Sequence, residues 1–165
     1  MGLISLLGKI AEVIKDDITT PESFKLGEAF EDYVRETLFI DRYYTLVDRA
    51  HNYKTNKKDY IEASLKPDFL FRDHITNKEF YVEAKVRTTV YDGKIIWCNH
   101  KQLYRYNEYH KHKPVFLILD VGDEDRFLSL IPLDKAKYIG LFPSYARKFE
   151  IEPNKPVSSK VLWNR

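Results

Sequence analysis

The sequence predicts an α/β fold in which helices flank one mixed central sheet, and three features of the chain lead to this prediction. The predicted elements follow the order helix, three strands, helix, strand, with a further strand after them. Apolar and polar side chains alternate over 79–87, as in a half-buried strand, whereas 115–119 is the uninterrupted apolar run of a fully buried strand. A helix between these two strands provides the crossover that parallel neighbours need.

The composition fits a single domain over residues 1–165. Hydrophobic residues make up 44% of the chain and charged residues 32%. The single cysteine, Cys98, excludes an intramolecular disulfide and a cysteine-based zinc site, and it indicates a reducing, cytoplasmic compartment. No apolar run reaches the roughly 18 residues of a membrane span, so no membrane partner is expected. The net charge of +2 neither requires nor excludes nucleic acid as a partner.

The N-terminal segment 1–17 is predicted to hold an amphipathic helix over 3–15. Its apolar stripe at helical spacing consists of Leu3, Leu7, Ile10 and Ile14. The stripe either packs on the same domain or forms the contact of a homodimer. Charged residues interrupt the segment, and it has no basic start or small-residue cleavage site, so it does not resemble a signal peptide.

A second helix is predicted from Thr20 to about Phe39. Thr20 suits the N-cap and Pro21 the first helical position. The buried stripe of this helix consists of Leu26, Phe30, Val34 and Leu38. Glu31 lies about 100° round from the stripe and therefore at the edge of the buried face. It either joins a functional site there or is a solvated residue paired with Arg35 at i+4.

Strands are predicted over 43–50, 67–72 and 79–87, with a polar, lysine-rich loop at 51–59. On the third strand one face carries Phe80, Val82, Ala84 and Val86, and the other carries Tyr81, Glu83, Lys85 and Arg87. The remaining predicted elements are a loop at 88–97, a helix at 98–111, strands at 114–121 and 126–131, and a short helix at 134–138. Residues 122–165 form a C-terminal extension, and the part after Gly140 shows no functional pattern.

Two neighbouring strands carry residues suited to phosphodiester chemistry. Asp68 opens one strand and Glu83 lies 15 positions later on the next, so a short turn would bring the two carboxylates together. Mg²⁺ and Mn²⁺ take oxygen ligands, and one or two carboxylates with a backbone carbonyl, such as that of Ala84, suffice. Lys85, on the same face as Glu83, would stabilise the negative charge of a transition state. The alternative is an exposed Glu–Lys pair on a one-sided sheet.

Two segments of the sequence carry a family resemblance. They are Lys66-Pro67-Asp68-Phe69-Leu70-Phe71 and Phe80-Tyr81-Val82-Glu83-Ala84-Lys85, and together they look like the PD-(D/E)XK nuclease superfamily. Residues 27–31, Gly-Glu-Ala-Phe-Glu, are similar to the Gly-x-x-Phe-Glu pattern by which the first helix of many members supplies a further acid. Gln102 and Tyr106 match the Gln-x-x-x-Tyr of RecB-like members, although those members often have a His before the acid and this chain has none.

The resemblance implies a restriction-endonuclease-like core over 21–121, with the order α-β-β-β-α-β. It also implies a Mg²⁺- or Mn²⁺-dependent deoxyribonuclease of the kind used in restriction, recombination or repair. The implied metal ligands are Asp68, Glu83, Glu31 and the Ala84 carbonyl. Lys85 would position or activate the attacking water or stabilise charge. Gln102 would complete the catalytic set, and with Tyr106 it would contact the DNA backbone or the groups around the metal ion.

Basic residues near this site are the predicted phosphate contacts. They are Lys101 and Arg105 on the crossover helix, Arg87 on the third strand, and Lys57 and Lys58 in the polar loop. A solvated face explains each cluster equally well when it is considered singly. His110 and His112 face nearly opposite ways on a helix, so no zinc site is expected there. Tyr104, Tyr106 and Tyr109 are expected to be partial core.

The function predicted from these residues is hydrolysis of DNA phosphodiester bonds. The alternative is a nucleic-acid-binding module on the same fold that does not cut. A third possibility is an α/β domain with other chemistry. Uptake of Mn²⁺ that depends on the carboxylates would separate the first two.

Overall fold

The computed structural model of the protein describes residues 22–50, 66–122 and 125–165. The helices are α1 (Glu22–Tyr33), α2 (His100–His110), α3 (Pro143–Ala146) and α4 (Ser159–Trp163). The strands are β1 (Tyr44–Arg49), β2 (Phe69–Asp73), β3 (Glu79–Arg87), β4 (Ile95–Ile96), β5 (Val115–Val121), β6 (Phe127–Pro132) and β7 (Gly140–Leu141). The predicted helix at 3–15 and the lysine-rich loop at 51–59 lie outside the described residues. Within the described ranges, no helix combines the length and apolar character needed to cross a bilayer.

Five strands form one mixed sheet in the order β1-β2-β3-β5-β6. The strands β1, β2 and β3 are antiparallel neighbours, β5 runs parallel to β3, and β6 is antiparallel to β5. Helix α2 connects the two parallel strands, as a crossover must. The predicted α/β class with a mixed central sheet is therefore confirmed.

Each face of the sheet carries its own apolar core. The core beneath α1 takes Phe80 and Val82 from β3, whereas the core beneath α2 takes Leu117 and Leu119 from β5. Alternating residues of a strand point to opposite faces, so one strand can serve both cores. All residues of β5 are buried, as the apolar run predicts.

Helix α1 continues directly into a wider, π-helical turn. From Val34 to Leu38 the helix is π-helical, and the Phe39 N–H closes it by donating to the Val34 carbonyl at 2.9 Å. This wider turn brings Phe39 onto the ring of Phe71, with 5.1 Å between the ring centroids. The predicted start of the helix at Thr20 lies outside the described residues.

Helix α2 begins two residues later than predicted because Asn99 caps it. The Asn99 side chain accepts the Gln102 N–H at 2.8 Å, and the Gln102 side chain accepts the Asn99 N–H at 3.1 Å. This reciprocal capping box fixes the first turn at His100. The short helix predicted at 134–138 is wrong: a single 3-10 turn occupies Leu133–Lys135, and the chain is then drawn out to pair with β4.

The C-terminal segment, which shows no pattern in the sequence, is tied to the β2–β3 turn through Asp73. The buried Asp73 carboxylate accepts the Ile75 N–H at 2.9 Å, the Thr76 hydroxyl at 3.1 Å, the Trp163 indole at 2.7 Å and the Ser159 hydroxyl. Burial alone would raise the pKa of Asp73, but these hydrogen bonds outweigh it and hold the pKa below its ordinary value. The segment also adds Val157 and Leu162 to the core beneath α1.

Strand β4 lies within 88–97, where the sequence predicts only a loop, and it pairs with β7 in a two-stranded ribbon; β7 lies in the tail after residue 139, where one or two short strands are an open prediction. Before β4 the chain forms a tight hairpin in which Tyr91 pairs with Lys94. Asp92 and Gly93 close this hairpin with φ values of 51° and 74°. Positive φ at both central positions is the geometry of a type I′ turn, which suits this Asp-Gly pair.

Candidate active site

The candidate site lies where β3 extends past the end of β2. Phe69 opposite Val82 is the last pair between these strands, so from Glu83 onward β3 pairs only with β5. Asp68, one residue before β2, occupies the edge that is left open. Its Oδ2 accepts the Ala84 N–H at 2.8 Å, and its own N–H donates to Glu83 Oε2 at 3.1 Å. The two acids that the sequence places on neighbouring strands are therefore in contact.

Glu83 is the most heavily bonded residue of the cluster. Its Oε1 accepts the Tyr106 hydroxyl at 2.8 Å and lies 3.0 Å from Lys85 Nζ. The exposed fractions of the Lys85 and Glu83 side chains are 15% and 5%. The alternative prediction of an exposed Glu–Lys pair is therefore wrong. Buried charges of this kind persist only when they are paired and hydrogen-bonded.

Glu31 reaches the same place from α1. Its side chain lies close enough to the Glu83 and Asp68 carboxylates for both to act on its pKa. Burial, with the Glu83 carboxylate as the next cause, raises the pKa of Glu31 to about 7, although Arg49 on β1 opposes the rise. Near neutral pH the pair of acids therefore keeps a proton that an exposed pair would release.

The other two charged groups respond to the same crowding. Burial raises the pKa of Asp68 well above its ordinary value, and the Glu83 and Glu31 carboxylates add to the rise. Burial alone would lower the pKa of Lys85, but the Glu83 and Asp68 carboxylates outweigh it and raise that pKa. Lys85 is therefore an ammonium ion, and the cluster around it has an excess of acids.

The donor chemistry of the cluster fits a hard divalent cation, but the side chains are not yet arranged as its ligands. In the described part of the chain, no group of three or more His, Cys, Asp or Glu side chains stands ready to hold a metal ion. Both oxygens of Glu83 are bonded to protein donors. The N–H and C=O of one strand residue point to the same side. Since the Ala84 N–H is directed at Asp68, the Ala84 carbonyl also faces that side.

Gln102 and Tyr106 of the crossover helix, which were predicted to act together, make different contacts. Tyr106 is 1% exposed, its hydroxyl donates to Glu83, and its ring stacks on Trp97 with 5.8 Å between the centroids. Tyr106 therefore lies next to the acids, and its side chain is not exposed to solvent. The Gln102 amide oxygen bonds to the backbone of Asn99, so a catalytic role for Gln102 requires it to leave the capping box.

The residues predicted to contact phosphates differ in burial and in their bonds to the protein. Arg87 donates to the backbone carbonyls of Val86, Ile96 and Trp97 at 2.6 to 2.7 Å, and burial lowers the pKa of its guanidinium. Arg87 therefore stabilises the backbone around β4 through its hydrogen bonds. Lys101 and Arg105 are exposed on α2. Lys57 and Lys58 lie outside the described residues.

Two residues near the acids are absent from the prediction. Arg49 is close enough to Glu31 to lower its pKa. Cys98 is buried, and burial raises the pKa of its thiol to about 12, with Lys85 and Glu83 acting on it. Only their positions could have identified these two residues from the sequence. Arg49 ends β1 opposite Phe69, and Cys98 immediately precedes the N-cap of α2.

Several alternative predictions are settled by contacts. Arg35 donates to the Phe39 carbonyl at 3.0 Å and to Asp41, so the predicted pair with Glu31 is wrong. Tyr106 and Tyr109 contribute to the core as expected, whereas Tyr104 is exposed.

Comparisons of the chain with protein-family models, with curated proteins and with solved structures give no match.

Proposed function

We propose that the protein is a metal-dependent deoxyribonuclease of the PD-(D/E)XK type, which hydrolyses phosphodiester bonds of DNA with Mg²⁺ or Mn²⁺. One observation carries this proposal. Three acids from separate elements, Glu31, Asp68 and Glu83, meet Lys85 at the open edge of β3. Titratable groups with strongly perturbed pKa values that converge at one place are typical of catalytic sites.

The order of the elements supports the same proposal. A helix, three antiparallel strands, a crossover helix and a parallel strand are the restriction-endonuclease-like core that the sequence resemblance implies. In this protein the corresponding elements are α1, β1, β2, β3, α2 and β5.

Each residue of the cluster has a role that its contacts suit. Asp68, Glu31, the Ala84 carbonyl and Glu83 would hold the cation, and Glu83 would first turn from some of its present donors. A bound divalent cation supplies neutralisation of phosphate charge and a lower pKa for water. The Lys85 ammonium would stabilise the negative charge that develops on the phosphate. Because its pKa is raised, Lys85 suits this role better than that of a base.

The substrate would lie along the crossover helix. Lys101 and Arg105 are exposed on α2 and would contact phosphates, as would Lys57 and Lys58. Binding would then weaken steeply with salt. Participation in restriction, recombination or repair, and assembly as a homodimer, belong to the same proposal.

The test is cleavage of supercoiled, linear, single-stranded and branched DNA with Mg²⁺ or Mn²⁺. Wild type is compared with Lys85→Ala and Glu83→Gln, and both variants should fold but lose at least about 100-fold in rate. Glu79→Gln is the matched control, because Glu79 lies on the same strand but pairs with Arg72 and Lys113. Full cleavage by Lys85→Ala or Glu83→Gln would contradict the assigned roles. No cleavage of any substrate by wild type would contradict the proposed function.

A second candidate function, a nucleic-acid-binding module that does not cut, is favoured by the bonds that occupy Glu83. A protein of that kind can use Asp68, Glu83 and Lys85 as a permanent structural network. It would bind DNA but take up no Mn²⁺ that depends on Asp68. Calorimetric titration of wild type and Asp68→Asn with Mn²⁺ separates the two functions.

A further inference from the structure

The outward face of the ribbon formed by β4 and β7 presents aromatic rings to solvent. Ile95 pairs with Leu141 and Ile96 with Gly140, and paired residues of a two-stranded ribbon share a face. Ile95 and Leu141 are buried, so the other pair faces outward. Lys94 and Phe142 lie on the same outward face, since Lys94 lies next to the Gly140 Cβ position and over the Phe142 ring, and Tyr138 is exposed at the bend that precedes β7. The exposed fractions are 71% for Tyr138, 54% for Phe142 and 37% for Ile96.

Gly140 leaves this face flat between the two rings. A Cβ at Gly140 would lie 3.0 Å from Ile96 Cδ1 and 3.2 Å from Lys94 Cδ. The missing side chain therefore lets the Lys94 and Ile96 side chains lie across the ribbon. Tyr138 precedes Gly140 by two positions and Phe142 follows it by two, so each ring can face a different planar group.

The five outward positions carry one charge, and it is positive. Lys94 Nζ lies 5.3 Å from the centroid of the Phe142 ring, and Lys94 is the charged residue among the five outward positions. Lys135 and Lys137, just before Tyr138, are also exposed. Aromatic rings next to ammonium groups match a nucleotide, whose base stacks on a ring while its phosphate meets a cation. Bases in a duplex are already stacked on one another, so these rings would gain contact only from unpaired bases.

The ribbon is held firmly next to the candidate site. Arg87, two residues after Lys85 on β3, donates to the carbonyls of Ile96 and Trp97 at 2.7 and 2.6 Å. The Trp97 indole donates to the Tyr138 carbonyl at 2.7 Å. A surface that is rigid before binding loses less entropy when a flexible strand settles on it.

We propose that the outward face of this ribbon (Lys94, Ile96, Tyr138, Gly140 and Phe142) binds unpaired nucleotides of a DNA strand. The inference rests on the proposed nuclease function in one respect, because it names single-stranded or branched DNA as the form of substrate brought to the acids. The binding surface itself uses none of the residues assigned to cleavage.

The test measures fluorescence anisotropy of a labelled single-stranded DNA of mixed sequence, with EDTA present so that no cleavage occurs. The double variant Tyr138→Ala/Phe142→Ala should bind at least about tenfold more weakly than wild type. Tyr138→Phe/Phe142→Tyr keeps both rings and should bind as wild type does. Tyr43→Ala is the matched control, since Tyr43 is an exposed tyrosine just before β1, an edge strand of the five-stranded sheet and not part of the ribbon. Near-UV circular dichroism confirms that each variant is folded.

The outcomes separate this inference from the proposed function. Unchanged single-strand binding by the double alanine variant overturns the inference and leaves the cleavage assay to judge the nuclease. Ring-dependent binding by a protein that cuts no DNA supports the ribbon surface and overturns the nuclease proposal. If the alanine substitutions abolish self-association in sedimentation but leave single-strand binding intact, the face is a contact between copies of the chain and the inference is overturned.

Discussion

At the scale of single residues, Tyr106 connects the crossover helix to the acids. Its hydroxyl is buried and donates to Glu83 Oε1, which also lies close to Lys85. Burial, with the charge of Glu83 as the next cause, raises the pKa of Tyr106. The hydroxyl therefore remains a donor over the whole working pH range and holds one oxygen of Glu83 in place.

Removing that donor tests its importance. Tyr106→Phe keeps the ring stacked on Trp97 but leaves Glu83 with one hydrogen bond fewer. We expect a loss of about 1 to 2 kcal/mol in the free energy of unfolding and a cleavage rate lowered by about tenfold, since Glu83 is less well oriented. Urea denaturation and single-turnover cleavage measure the two effects. Tyr104→Phe, on an exposed residue of the same helix, is the control, and equal behaviour of the two variants would refute this role for Tyr106.

Glu31 makes the stability of the metal-free protein depend on pH. Its pKa rises from 4.5 to about 7 on folding, so between these values the folded protein keeps a proton that the unfolded chain has released. Stability therefore falls as the pH rises through this window. Glu31→Gln removes the effect, and at pH 8 it should be more stable than wild type by about 1 to 3 kcal/mol. Denaturation in EDTA at pH 4 and pH 8 measures the difference, and a variant advantage that is equal at both pH values would count against this origin.

The sequence predicts the residues of the cluster better than it predicts their contacts. Asp68 and Glu83 are recoverable because strand alternation and a short turn place them together. Lys85 follows from the same alternation. The raised pKa values of Glu31 and Asp68 depend on the burial of both side chains, which arises only when α1 packs on the sheet. The Gln102 side chain can either cap the helix or reach the acids, and its i, i+4 spacing from Tyr106 does not reveal that it caps the helix.

At the scale of secondary structure elements, Asp73 joins the β2–β3 turn to α4. Its Oδ2 accepts hydrogen bonds from Thr76, Ser159 and Trp163. Asp73→Asn replaces one acceptor oxygen by an NH₂ group that cannot accept these bonds. We expect a loss of about 2 to 4 kcal/mol, because several donors lose their partner at once.

The pH dependence of this contribution has the opposite sign to that of Glu31. The pKa of Asp73 is lowered on folding, so its contribution is present above the ordinary value of 3.8 and is lost as the pH falls through the folded value. Urea denaturation of wild type and Asp73→Asn at pH 7 and pH 3 measures it. Asp134→Asn, at an exposed position, is the control. A difference between wild type and Asp73→Asn that does not shrink at pH 3 would contradict the assigned cause.

Elements with strong periodicity are predicted with correct bounds, and elements fixed by tertiary contacts are not. β3 is predicted at 79–87 and found at Glu79–Arg87, because nine alternating residues leave little choice. The strands β4 and β7 have two residues each, which is too short for any pattern to appear. The C-terminal helix α4 is held by Asp73, a residue distant in sequence, and its local signal is the single N-cap Ser158, which alone does not predict a helix of five residues.

At the scale of the whole molecule, the burial of three acids at β3 costs free energy of folding, and the proposed cation would offset part of this cost. A cation bound to the folded state and not to the unfolded chain raises stability by mass action. At a Mn²⁺ concentration of about 100 times the Kd, the gain would be about 2.7 kcal/mol. Calorimetric melting of wild type with Mn²⁺ should show it, and Asp68→Asn should show little of it. Equal shifts for both proteins would mean that Mn²⁺ binds elsewhere.

The π-helical turn at Val34–Leu38 limits how the chain can change in length. A π turn holds one residue more than the α turn it replaces, so it behaves as a built-in insertion. Deleting one residue there would restore an α-helix and rotate everything upstream by about 100° relative to Phe39. Glu31 would then point away from Asp68, although the sheet would be untouched. A version of this protein without the extra residue would therefore need its third acid at a different position of the helix.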